Sequence, residues 1–187
     1  MRNLTPLLFL FFLFACGGGG GGSSTNSNPP EVSTEDTTPE SPQVNPLKFV
    51  ELTTNNNETV RTSIASTSKE QTQGLQFVMP SEFDEDEGKL FFYLSDQSRT
   101  FWMPNTYFNL DLIYLDKNLK IIDIVWNLSH YTGNVNSQIP RAPTVKSRHV
   151  LEMKAGSRIS SGLEVGETLG WKSSLSLAET EARIRNQ

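Results

Sequence analysis

Trp102, Asn105, Thr106 and Asp111 fall within one short stretch of the chain. An indole offers a flat apolar face and one N–H donor. A carboxamide both donates and accepts, a hydroxyl does the same, and a carboxylate is a charged acceptor. Gathered at one pocket, these groups suit a sugar or another neutral polar molecule, so all four are candidate ligand-binding residues. Glu152 is a fifth, because two-residue alternation points it away from Leu151 and Met153 and toward a pocket if they enter the core. The bland alternative is structural: Trp102 packs inside, Asn105 and Thr106 close a turn, and Asp111 satisfies loop N–H groups. Arg99 is expected to pair with Asp111 or to face solvent. On sequence alone both readings stand.

Catalytic and metal chemistry find less support. Ser147, His149 and Glu152 contain the residue types of a serine–histidine–acid set. No Gly-x-Ser-x-Gly elbow accompanies them, and alternation puts His149 on the face opposite Glu152, so no catalytic residue is expected. Asp84 to Glu87 do not alternate as calcium-loop ligands do and read as a solvated turn. Cys16 is the one cysteine and His130 and His149 are the two histidines, so neither a metal nor a cofactor is expected.

The chain has 187 residues and a formal charge of -5, with 36% hydrophobic residues. No Lys/Arg run suggests phosphate binding, so nucleic acid is not an expected partner. An acidic surface also gives no pull toward anionic headgroups. Arg2 followed by the unbroken apolar run Leu7 to Phe14 is too short to span a bilayer but matches a secretory signal, assigned to residues 1–15. Removing Arg2 with that leader would leave 15 basic against 21 acidic residues, a net of -6.

Gly17 to Pro46 begins with six glycines, contains five prolines and has only Val32 and Val44 as sizeable apolar groups. It cannot bury enough surface to offset its ordering entropy. As a flexible tether it would reach on the order of 30 Å.

From Leu47 the pattern changes, and residues 47–172 are expected to form one domain. Phe49 to Leu52 and Val60 to Ile64 read as strands around the turn Asn55-Asn56-Asn57. Thr67 and Glu70 have capping-box spacing, so a short helix should run to Gln73, with Gly74 as its left-handed cap. Leu90 to Leu94 reads as a buried strand after the acidic turn. Leu110 to Leu115 and Ile121 to Leu128 form a hairpin, with Asn118 expected at positive φ. In its second strand Ile122, Ile124, Trp126 and Leu128 share the expected core face. His149 to Met153, extended by Val145, and Thr168 to Trp171 complete the strands. Ser129 to Thr144 should be an exposed loop, and residues 173–187 a weak helix or frayed tail. The expected fold is mainly β: a compact barrel or sandwich with one short helix.

Two resemblances add to this reading. Leu13-Phe14-Ala15-Cys16 resembles a lipobox, with Phe14 bulkier than the residue usual at its position. The resemblance implies an acylated Cys16, a lipid bilayer as partner and residues 16–46 as tether. With Gly17 after the cysteine it favours the outer membrane. Phe101-Trp102-Met103-Pro104-Asn105-Thr106, followed by Leu110-Asp111-Leu112, resembles the signature of the domain of unknown function 192 family. Gly74-Leu75-Gln76, Glu87 to Phe91, Val150 to Met153 with Ala155-Gly156, and Leu163 to Glu167 match its other elements in order. Pro104 stands where the family has lysine, Asn109 where it has proline and Lys89 where it has methionine. The resemblance implies a mainly β fold and no assigned activity.

Together these features suggest a non-catalytic binding or accessory domain displayed in the cell envelope. Its partner would be a neutral polar small molecule, a glycan or an envelope protein. The alternatives are an envelope-assembly factor and an enzyme acting on envelope polymers.

Overall fold

The computed structural model describes residues 47–187. The leader assigned to residues 1–15, Cys16 and the tether to residue 46 lie outside the described residues. Nine strands form the domain: β1 (Phe49–Thr53), β2 (Thr59–Ala65), β3 (Glu87–Phe91), β4 (Gln97–Arg99), β5 (Leu110–Leu115), β6 (Ile121–Leu128), β7 (Val145–Ser147), β8 (His149–Lys154) and β9 (Gly170–Lys172). Seven make one curled sheet in the order β6-β5-β8-β3-β2-β1-β9, a half-barrel, while β4 and β7 pair separately. Only β2 and β3 run parallel, joined by a crossover that carries helix α1 (Ser68–Gln73). Lys120, just before β6, bridges Thr168, just before β9, so the two sheet edges meet at one end. The mainly β expectation describes this fold.

Curling gives the sheet an inner and an outer core. Leu52, Val60, Leu90, Phe92, Ile113 and Leu151 pack inside. Phe91, Leu112, Tyr114 and Val150 face outward, covered by Leu75, Phe83, Phe101 and Met103. Strands β5 and β8 are therefore buried on both faces, which is why β5 reads as a nearly continuous apolar run.

The capping box at α1 forms: Thr67 Oγ1 accepts from Glu70 N–H at 3.3 Å and Glu70 Oε2 accepts from Thr67 N–H at 3.0 Å. Gly74 closes the helix at φ 51° and ψ -127°, a positive-φ conformation suited to glycine but outside the left-handed helical region expected from the sequence. Thr67→Ala should cost about 1 kcal/mol of stability in urea unfolding, because it leaves a helix-end donor unsatisfied. No change would mean that Glu70 alone holds the turn.

Several local expectations are corrected. Trp126 is 49% exposed, and Ile122 is exposed beside it. The β5–β6 pairing carries register shifts and Asn127 sits at φ 52°, which breaks simple alternation. Asp116 Oδ1 accepts from Asn118 and Lys120 N–H groups, and this turn places the positive φ on Leu119, not Asn118. Val145 does not extend β8 but lies in β7, paired with Arg99. The Ser129 to Thr144 loop is only partly exposed. Ile139 and Ala142 are buried, and Tyr131 and Arg141 bridge Thr106 and Trp102. Near the C-terminus, helix α2 (Leu177–Arg185) starts at a Ser176/Glu179 capping box and buries Thr180 and Ile184.

Candidate functional site

Between the C-terminal end of α1 and the segment from β4 to Thr106 lies a cleft of about 240 Å³. It is somewhat smaller than the roughly 300–1,000 Å³ usual for ligand sites, so it suits a small molecule. Gln71, Gln73 and Gln76 line one wall, Thr100, Trp102 and Thr106 the other, and Phe91, Tyr93 and Phe101 add aromatic surface. Among the described residues, the charged ones that line it are Arg99 and Glu152.

Glu152 comes from β8, on the face that carries Val150, because Leu151 and Met153 fill the inner core. It is 4% exposed, and its Oε2 makes no hydrogen bond within the described protein. A Cβ placed on Gly74 would stand 3.9 Å from that oxygen, so the carboxyl lies directly beneath the glycine cap of α1. Burial pushes the Glu152 carboxyl up to about 8, against the pull of Lys89. Lys89 is its cross-strand partner, yet Lys89 Nζ donates to Ser63 Oγ at 3.4 Å. Near neutral pH, Glu152 is thus a carboxylic acid with an O–H to donate.

Arg99 does not pair with Asp111. Its guanidinium lies 3.4 Å from the Tyr93 ring centroid and donates to Ser95 O at 2.8 Å. Trp102 is 44% exposed, with the Arg141 guanidinium 5.1 Å from its ring centroid. Burial raises the Tyr93 phenol above its ordinary range, an effect the Arg99 charge opposes.

Of the five candidate residues, Trp102, Thr106 and Glu152 line the cleft, whereas Asn105 and Asp111 do not. Thr106 gives its hydroxyl to Pro104 O at 3.1 Å. Asn105 adopts φ 48° and holds a turn through Phe77 N–H and Gly133 O. Asp111 is 1% exposed and accepts from Asn127 N–H at 2.7 Å and Gly156 N–H at 3.0 Å. That is the structural reading: Asp111 ties the β6 irregularity to the turn after β8. The serine–histidine–acid set is not assembled. Ser147 Oγ makes no hydrogen bond within the described protein, and His149 Nδ1 accepts from Tyr93 N–H at 3.3 Å. Among the described residues no group of three or more His, Cys, Asp or Glu could hold a metal ion.

Sequence reasoning assigned no binding role to Arg99 or to the glutamines of α1. Tyr93 and Arg99 stand six residues apart with no continuous strand or helix between them, so the turn that folds the guanidinium back onto the ring leaves no periodic signal.

The chain matches the model of the family described as Uncharacterized ACR, domain of unknown function 192, over residues 50–171. No curated protein matches it significantly. Two solved structures are similar. One, from Sinorhizobium meliloti 1021, is described as a candidate transcription regulator. It is 25% identical, with a TM-score of 0.53, over 66% of this chain and 92% of that one. The other is a protein of unknown function from Novosphingobium aromaticivorans DSM 12444. It is 28% identical, with a TM-score of 0.53, over 66% of this chain and 84% of that one. With the family pattern running through nearly every strand of the half-barrel, the chain belongs to the domain of unknown function 192 family.

Proposed function

We propose that the domain is a binding module that takes a small polar molecule, such as a sugar, into the cleft beneath α1. The observation that carries this reading is the buried Glu152 carboxyl lining the cleft with an unpartnered oxygen. Buried polar groups ordinarily find partners, so an orphan in a cleft invites a hydrogen-bonding ligand. Trp102, half-exposed on the wall, supplies a face on which a sugar ring can stack. The net charge of -5 gives no support for carrying over the regulator description.

The apolar run before Cys16 and the residues after it motivate the second half of the proposal: export, acylation of Cys16 and display from the outer membrane on the tether. More than one acyl chain would make that anchoring stable. Intact-mass analysis of the native product should find Cys16 acylated and N-terminal; an unacylated product with its leader intact would refute the anchor.

The binding half is tested by titrating the full chain with monosaccharides and small organic acids while following tryptophan fluorescence. Trp102→Ala should remove the signal and weaken binding by about 1 kcal/mol or more, as loss of an aromatic contact does. Equal affinity by calorimetry for the variant and the native chain would place the ligand elsewhere.

A further inference from the structure

Most arginines of the domain face a carboxylate. Arg61 meets Asp84 and Asp86, Arg148 meets Asp96 and Glu181, Arg158 meets Glu58, and Arg185 meets Glu181. Arg99, at the cleft, has no carboxylate within ion-pair distance among the described residues. Its Nε is buried and makes no hydrogen bond within the described protein, and Nη2 is engaged only by Ser95 O. Asp96 attracts it but is held by Arg148 Nε at 2.7 Å. A partly desolvated guanidinium is unfavourable without an opposing charge. The remaining charged residue of the cleft is Glu152, and burial keeps that carboxyl uncharged near neutral pH. The acid therefore does not cancel the cation.

The guanidinium carbon sits 3.4 Å from the Tyr93 ring centroid, a cation–π contact that holds the cation against the ring. Arg141, over Trp102 on the other wall, also has no ion-pair partner among the described residues; it donates to Asn136 Oδ1 at 2.5 Å. Two cations thus lie on two aromatic rings that both line the cleft.

We infer that the molecule bound in the cleft carries an anionic group, a carboxylate or a phosphate, and that Arg99 is its counter-ion. This rests on the ligand-binding reading of the cleft and narrows its ligand class. The planar guanidinium suits two-point contact with either anion, and Glu152 donates its O–H to a polar atom deeper in the cleft.

Matched probes test the inference on the full chain: acetate against acetamide, glucuronate against its methyl ester, and glycerol phosphate against glycerol. Thermal shift and calorimetry should detect at least one acid binding about tenfold more tightly than its uncharged counterpart, the scale of one charge-assisted contact. Which acid succeeds separates carboxylate from phosphate. Arg99→Gln should erase that preference, and Arg99→Lys should restore part of it, since charge returns without the fork. The preference of the native chain should also shrink with added salt, a readout that needs no variant. Uncharged probes binding as tightly as the acids would overturn the inference and leave the ligand reading intact. No probe binding at millimolar concentration would count against both.

Discussion

Glu152→Gln should be more stable than the native chain at pH 8, and the two should converge toward pH 4.5. The Glu152 carboxyl is raised from 4.5 to about 8 in the folded protein by burial. Between those values the folded state holds a proton that the unfolded state has lost. Its contribution is therefore complete below about pH 4.5 and declines by about 1.4 kcal/mol per pH unit until about pH 8. The amide of the variant carries no titrating proton, so the gap between the proteins should widen at that rate and then level. Urea unfolding at several pH values measures the slope, and any fixed cost of the amide drops out of it. Parallel profiles would mean that Glu152 is ionised in the folded protein, and the neutral donor at the cleft floor would be lost.

His149 shapes the native profile from the other side. Burial lowers its imidazole from 6.5 to about 3, and its Nδ1 must stay unprotonated to accept from Tyr93 N–H. Here the unfolded state binds the extra proton, so stability is present above about pH 6.5 and is lost as pH falls toward 3. Between about 4.5 and 6.5 the two opposite slopes nearly cancel. The native chain should show a plateau there, with an alkaline decline due to Glu152 and an acid decline due to His149. At Glu70 desolvation is outweighed by hydrogen bonds from Lys48 and from the backbone at Thr67 and Ser66, which lower the carboxyl to about 2 and steepen the acid side.

Phe92→Ala should cost about 3–5 kcal/mol, whereas Trp126→Ala should cost under about 1 kcal/mol. Phe92 is 1% exposed, with its ring 4.3 Å from His149 and 6.3 Å from Trp171 by centroid. Truncation leaves a cavity that rigid strands on both sides cannot close. Trp126 stands on β6, an edge of the sheet, where half of its surface already meets water. Equal losses in urea unfolding would restore the sequence-based assignment of Trp126 to the core and contradict the β6 geometry.

The contrast between those two aromatics marks where reading the sequence works. The capping box at Thr67 and Glu70, the glycine after α1 and the strands through Leu110 to Leu115 and His149 to Met153 depend on neighbours a few residues apart. Such local terms are written directly in residue order. The outward direction of Glu152 was legible for the same reason, because Leu151 and Met153 on either side claim the inner core.

Other features depend on which strand lies beside which. The exposure of Trp126 follows from the edge position of β6 and its shifted register, and Asp111 is occupied because the turn at Gly156 lies beside it. Arg99 meets Tyr93, and Arg141 meets Trp102, across separations that carry no sequence period. Residue order alone determined the family, the mainly β fold and the side of the sheet on which Glu152 lies. Only the tertiary structure decided that Glu152 is buried beneath Gly74 and shares a cleft with an arginine that has no carboxylate partner among the described residues, because desolvation and charge pairing act through space between residues far apart along the chain.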